Sequence, residues 1–557
     1  MLNEFPTEIV LEILTYLPLP CLYSLQLTST HWNNFILENE SWIYHRVALL
    51  HRFVPSLSTE LSTVTSGYAD WYLSEVNDWK TFCKRRLLTE KRWMGKSPAL
   101  VKTFISPGAD VHRIKVDEKA GFAITTSAQG GLVVTDLVAD RILWSLPVEY
   151  VRPYAHCEYS NGFLVFDRFG GFKEVWRCAS DFTPADLPNS FRPDGVQERV
   201  ANASWRTHWS RTCRGHFRPW ALLRMAAVTH AFRFVYPTLL VASLEEAFLW
   251  NIPSATLAQT IDLTPQADAS LYYVELSERH VFVVGPRSLR IFARDRGVLV
   301  LNLTSEAILS AGLSLQVHQP TLHRASNAGA EPQIFSHPTD PQPILGDHLG
   351  FCSVHVSNDG RDLAVLLDPE TVVIIHGFER VIKGEATLTS TSLRVSISAP
   401  HPQSVYLAFE FGKVALALGS GIYVVTLANH GIMPHPNTLL PEERIELQRS
   451  PFPDISISRA VGFDDYDTLL EIGCLQMTET ALFFTWNPSR TSSSYHELEA
   501  SSSQLDGLQE DLDDNDVDDE DEDDDYDDYD DGMHVVTLPV SDLARSRLTC
   551  ISFGRSP

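Results

Sequence analysis

VHRIKVDEKAGFAITTSAQGGLVVTDLVADRILWSLP, residues 111–147, contains four short β-rich runs in succession: VHRIKVD, GFAITTSAQ, GLVVTDL and RILWSLP. The runs are alternating or simply rich in β-branched and aromatic residues, and turn-forming pairs such as Gly130-Gly131 and Ala139-Asp140 divide them. Period-two patterning broken at regular intervals by such pairs predicts consecutive antiparallel strands. Four in a row predict one sheet.

The pattern recurs toward the C-terminus. NGFLVFD with FKEVWRC, LLVASLEEAFLWNI, HVFVVGPRSLRIFAR, DLAVLLDPETVVIIHG, KVALALGSGIYVVTL, and ALFFTW with HVVTLPV form comparable groups. Landmarks in the third run of successive groups, Asp136, Trp176, Trp250, Phe292, Ile375 and Val425, stand 40, 74, 42, 83 and 50 residues apart. The short intervals match the blades of a β-propeller, and the long ones predict insertions. Residues 104–557 therefore read as an all-β propeller of about seven blades. Segments 180–215 and 305–345, rich in Pro, His and polar residues, are its insertions. A Ser-rich then acidic stretch, 489–532, reads as a disordered loop between two strands of the last blade. Gly419-Ser420-Gly421, lying between two β-runs with no helix following, reads as a hairpin turn and not as a dinucleotide loop.

Upstream of residue 104 the period is helical. Ile9, Val10, Ile13, Leu14 and Leu17 recur at steps of three and four behind Pro6 until Pro18 and Pro20 stop the run. Leu22 and Leu25 mark a second helix. Trp32, Phe35 and Ile36 follow the cap candidates Ser29 and Thr30, and Trp42, Ile43 and Val47 follow Ser41. So many large apolar groups exceed what about 50 residues bury alone, and a protein partner is expected for the surplus. A Ser/Thr-rich linker leads to a second helical stretch between Asp70 and Trp93, basic in its later half.

FPTEIVLEILTYLPLPCLYSLQLTSTHWNNFILENESW, residues 5–42, resembles the F-box motif. Pro6, Glu8, Ile9, Leu14, Leu17, Pro18, Leu22, Leu25, Trp32 and Trp42 stand at its Pro, acidic, aliphatic and Trp positions, with departures at Phe5, Cys21 and Ser29. The stretch Trp79–Gly95 looks like the basic helical linker that joins F-box to propeller in F-box/WD proteins. Trp176 and Trp250 sit at WD-repeat Trp positions, yet Arg177 and Asn251 follow them, so the propeller resembles a degenerate WD type. The expected organisation is α + β: F-box 1–54, linker and connector helix 55–103, propeller from 104. The resemblance implies a non-catalytic substrate receptor of a Skp–cullin–F-box ubiquitin ligase. Pro6, Ile9, Leu14, Leu17, Leu22, Leu25, Trp32 and Trp42 would dock on the Skp-family adaptor, and through it cullin, or support that docking; the propeller would bind a protein target. The alternative is a propeller scaffold acting outside a ubiquitin ligase.

Residues 199–244 carry seven arginines and no carboxylate. Guanidinium groups pair in bidentate fashion with phosphate or carboxylate, so Arg206, Arg211, Arg214 and Arg218 are candidates to read a phosphorylated or acidic target; a solvated basic loop is the plainer reading. Trp205, Trp209, Phe217 and Trp220 between them could stack on bases, but overall acidity argues against nucleic acid. The formal charge of −27 is largely local, because residues 511–531 hold sixteen carboxylates and leave −11 for the rest of the chain. That run reads as solvated, or as a screen for the arginines. Eight cysteines without a Cys-x-x-Cys pair suggest neither disulfide framework nor zinc ribbon, and His208, Cys213 and His216 match no familiar ligand spacing. No cofactor is expected. Acidic residues near the N-terminus lack the charge order of a secretory signal, and no apolar run reaches bilayer length, so an intracellular protein, cytoplasmic or nuclear, is expected.

Overall fold

The computed structural model describes residues 5–66, 73, 76–208, 213–264, 270–318, 350–398, 403–427, 455–487 and 546–554. It has an N-terminal helical unit followed by a seven-bladed all-β propeller.

Four helices open the chain: α1 (Thr7–Thr15), α2 (Leu19–Thr28), α3 (Thr30–Glu38) and α4 (Glu40–Leu50). Each break has a local cause. Pro6 and Pro18 occupy the N-cap positions of α1 and α2 in extended conformation, and the Ser29 hydroxyl accepts the Trp32 backbone N–H at 3.2 Å at the start of α3. A short α5 (Leu61–Thr65) follows, then α6 (Trp79–Trp93), where Asp78 accepts the Thr81 N–H at 2.7 Å. The basic residues Lys91 and Arg92 fall in the last turn of α6, where the helix dipole favours them.

The four runs of residues 111–147 become strands Val111–Asp117, Phe122–Ser127, Leu132–Asp136 and Ile142–Leu146, paired antiparallel in sequence order. Gly130 and Gly131 make the middle turn at positive φ, and a Cβ on Gly130 would lie 2.7 Å from the Val151 carbonyl oxygen. Blades two to six use strands within 157–224, 231–262, 273–304, 350–398 and 404–459, and all six landmark residues lie in third strands. A fifth strand, Leu313–His318, pairs parallel to the outer strand of blade five. The first strands pack against one another in a closed ring around the axis.

The seventh blade joins distant sequence. Its strands are Leu475–Met477, Ala481–Trp486, Arg547–Ser552 and Leu100–Thr103, with Leu100 opposite Ser552. Both edges of ALFFTW are thus occupied by segments other than HVVTLPV, the partner expected for it, which lies outside the described residues. So do the acidic run 511–531 and most of the 305–345 insertion.

The 180–215 insertion contains a regular helix, α7 (Gly195–Thr207), that its composition did not suggest. Asp194 and Gln197 form a reciprocal capping box, and Gln197 donates to the Ala221 carbonyl at 3.3 Å. The Ser204 hydroxyl donates to the Ser145 carbonyl at 2.5 Å, so α7 bridges the outer strands of blades one and two. Where these blades meet, Trp144, Trp176 and Phe217 are buried together, the Trp144 ring 5.5 Å from Trp176 and 5.4 Å from Phe217. Gly419-Ser420-Gly421 is a hairpin turn: Leu418 pairs with Gly421 across it.

Candidate functional site

Helix α1 is apolar on two sides. Val10 and Leu14 face inward, into a core with Leu19, Leu22, Ile36, Ile43 and Val47. Ile9, Ile13 and Tyr16, spaced four and three apart, face outward and are 48%, 37% and 69% exposed. Phe5 and Leu27 extend the uncovered surface, Leu27 at 88%. Trp42 is also exposed, and the Arg46 guanidinium lies 4.2 Å from its ring while pairing with Glu12 at 3.5 Å.

The residues expected to dock therefore divide. Pro6, Ile9 and Trp42 are exposed; Leu17, Leu25 and Trp32 are half-buried against the core; Leu14 and Leu22 are core. The last two fit support of a docking surface, since they present nothing to a partner. Phe5, Ile13, Tyr16 and Leu27 were not among the residues expected from the sequence to dock. The signal for two of them, Ile13 and Tyr16, was present: the 9–13–16 series forms a second apolar stripe beside the 10–14–17 series.

Helix α6 ties this unit to the propeller. Its first turns contribute Trp79, Phe82, Cys83 and Leu87 to the helical core, with Trp79 stacked on His45 at 4.0 Å and Lys80 paired to Glu40 at 2.9 Å. Its last residue, Trp93, is completely buried in the core between blades six and seven. There its ring stacks 3.7 Å from that of Phe553, and its indole N–H donates to the Glu479 carbonyl at 3.2 Å. Arg86 pairs with the Glu479 carboxylate, and Lys413 with Glu90 at 3.1 Å. A single helix, about 20 Å long at 1.5 Å per residue, thus belongs to two cores.

Glu479 lies in the turn between the first and second strands of blade seven, and Lys413 begins the second strand of blade six. Because adjacent strands alternate direction, α6 docks on the end formed by first-to-second and third-to-fourth connections. The opposite end carries the second-to-third and blade-to-blade connections. Val148, Tyr154, Phe169, Val228, Leu244 and Tyr272 all lie in those connections in blades one to three, and all are exposed. Scattered exposed apolar residues are ordinary; six on one end of consecutive blades make a candidate target face.

The described arginines do not converge. Arg214 is bound internally, donating to the Ala120 carbonyl at 3.2 Å and pairing with Asp136, whose side chain is almost sealed. Arg218 lies over the Trp205 ring at 4.0 Å. Arg233 enters the propeller axis. Arg206 is exposed on α7, and Arg211 lies outside the described residues. Two of the aromatic groups offered for stacking on bases, Phe217 and Trp220, are core residues.

The axis itself holds a buried charge network on the first strands. Glu158 accepts from Lys115 at 3.0 Å, His156 at 3.0 Å and Arg233 at 3.4 Å; Arg233 also pairs with Glu275 at 2.9 Å, which His355 meets at 3.0 Å. Burial alone would raise the Glu158 pKa, but Lys115 and Arg233 hold it far below the ordinary carboxylate value. Glu410, at the α6 end of its strand, makes no such bond among the described residues, and burial pushes its pKa up to about 7 despite Arg233. Among the described residues no cluster of three or more His, Cys, Asp or Glu is arranged to hold a metal ion, and no helix is long and apolar enough to cross a membrane. His208 instead meets the Ser145 hydroxyl at 2.8 Å.

Residues 2–49 match the F-box-like family model. No curated protein matches the chain. Similar solved structures include KlHsv2 with loop 6CD replaced by a Gly-Ser linker (12% identity, TM-score 0.34, 58% of this chain and 81% of that one), the RRP9 WD40 repeats (10%, TM-score 0.39, 70% and 92%) and Hsv2 of Kluyvelomyces marxianus (12%, TM-score 0.30, 57% and 80%).

Proposed function

We propose that this protein is the target-recognition subunit of a Skp–cullin–F-box type ubiquitin ligase, with the helical unit docked on a Skp-family adaptor and the propeller holding a protein target on the face remote from α6. The observation that carries this reading is the uncovered stripe Ile9–Ile13–Tyr16, extended by Phe5 and Leu27, within the segment that matches the F-box-like model. A helix with one apolar face turned to its own core and another turned outward is suited to bury the second against a partner helix. Such a subunit needs no bond chemistry of its own. It raises the effective concentration of a target lysine near a charged conjugating enzyme, and a helix embedded in two cores suits that task because a slack tether would dilute the advantage.

The test is co-purification of adaptor and cullin with the full chain and with an Ile9→Asp, Ile13→Asp variant. Both substituted positions are exposed, so the variant should keep its far-ultraviolet circular dichroism and lose adaptor and cullin together. Undiminished capture of adaptor would defeat the docking assignment. Adaptor captured from wild type without cullin would favour a scaffold working outside a ligase.

A further inference from the structure

The outer junctions between blades are covered unequally. Helix α7 bridges blades one and two, and the loop ahead of it reaches the next junction, between blades two and three, with Phe191. The Phe191 carbonyl accepts the Leu222 N–H of blade two at 2.8 Å, and its ring stands edge-on to that of Trp250 in blade three, 5.2 Å away at 86°. Its φ of 55° is a left-handed conformation that an aromatic residue adopts only at a cost, and strain of that kind gathers at binding sites.

Phe191 forms one wall of a cavity of about 330 Å³. The other walls are Phe248 and Trp250 from the third strand of blade three, Leu257 from its fourth, and Met225 just past the last strand of blade two. Phe248 and Trp250 belong to the core between the blades, whereas Leu257 is 46% exposed, so an apolar floor opens directly to solvent. Aromatic rings, a thioether and a leucine hold water poorly, and a space of this size takes one large apolar side chain with its flanking backbone.

The surroundings are cationic. Arg224 lines the cavity, and Arg192 is the next residue after Phe191; both are exposed, and neither has an ion-pair partner among the described residues. Carboxylates on either side of the entering side chain complement these guanidinium groups. Arg224 and Leu257 belong to fourth strands, so the cleft lies on the circumference of the ring, away from the axial network.

We propose that the outer cleft between blades two and three is a docking site for a linear segment of a partner protein, one that carries a phenylalanine-sized apolar side chain flanked by carboxylates. The side chain packs on Phe248 and Trp250, and the carboxylates meet Arg224 and Arg192. None of the walls belongs to α1 or to the six exposed apolar residues of the end remote from α6, so the site stands independently of adaptor docking and of that target face.

Fluorescence anisotropy of a fluorescein-labelled peptide, Asp-Asp-Gly-Phe-Gly-Asp-Asp amide, titrated with the full chain tests it. Replacing the Phe of the peptide with Ala should weaken binding at least about tenfold, and replacing its Asp residues with Asn should weaken it about threefold and flatten its salt dependence. In the protein, Leu257→Asp should weaken binding at least about tenfold and Arg224→Gln about threefold. No binding at protein concentrations on the order of 0.1 mM, an Ala peptide that binds as well as the Phe peptide, or equal affinity in wild type and Leu257→Asp overturns the assignment. The peptide substitutions leave the protein unaltered, so the assignment stays falsifiable if Leu257→Asp does not fold. A tenfold gain in probe affinity on deleting residues 511–531 would make this chain's own acidic run the occupant and would equally overturn the assignment to a separate partner.

Discussion

Replacing Trp93 with alanine should separate the two cores that α6 joins. The side chain is fully buried between blades six and seven, stacked on Phe553 and bonded through its indole to the Glu479 carbonyl. Truncating a buried Trp costs about 3–5 kcal/mol in lost transfer energy and cavity formation, or about two to four orders of magnitude in the folded-to-unfolded ratio. The loss should fall on the propeller, because Phe553 follows directly on strand Arg547–Ser552, which receives the closing strand Leu100–Thr103. Helices α1 to α4 belong to a core that Trp93 does not enter. Urea unfolding followed by circular dichroism would give the magnitude, and hydrogen exchange its location: amides of 100–103 and 547–552 should lose protection while those of 7–50 keep theirs. A destabilisation below about 1 kcal/mol, or equal loss of protection in both regions, would refute the account of α6 as a helix shared between two separate cores.

Leu14→Ala should destabilise the helical unit by about 2–5 kcal/mol, in contrast to the exposed Ile9 on the same helix; local exchange of α1–α4 amides measures it, and an unaffected unit would mean that Leu14 is not core. Arg214→Ala, which leaves the Asp136 carboxylate with the backbone N–H groups of Val138 and Ala139 and the exposed Arg141 guanidinium at 3.6 Å, should lower propeller stability by about 1.5–3 kcal/mol, whereas Arg206→Ala on the exposed face of α7 should change it by less than about 0.5 kcal/mol; denaturant titration of both decides whether the arginines are structural. Glu410 has a folded pKa of about 7 against 4.5 in a free side chain, so between those values the unfolded chain sheds a proton that the native protein keeps. Stability from this group should be greatest below pH 4.5, fall as pH rises to 7 and then level. Glu410→Gln should remove that component of the slope, and an unchanged slope between pH 4.5 and 7 would contradict it.

The sequence by itself determined the local elements and their class. The period-two runs, their turn pairs and the landmark spacing gave blades one to six, and the Pro-punctuated helical pattern of residues 5–50 placed α1 to α4, because alternation and 3.6-residue periodicity are written in neighbouring residues. It did not determine which distant segments meet. Nothing local marks Leu100–Thr103 as the outer strand for Arg547–Ser552; that pairing follows from ring closure, and the gain belongs to the whole ring. The arginines show the same limit for charge. Composition made residues 199–244 look like one basic surface, but only packing sent Arg233 to Glu158 and Glu275, Arg214 to Asp136 and Arg218 onto Trp205. The two apolar stripes of α1 were legible, yet the sequence could not say which would be covered. The tertiary structure turned Leu14 inward and left Ile9 and Tyr16 uncovered, because α4 packs against one side of α1 and no described element covers the other.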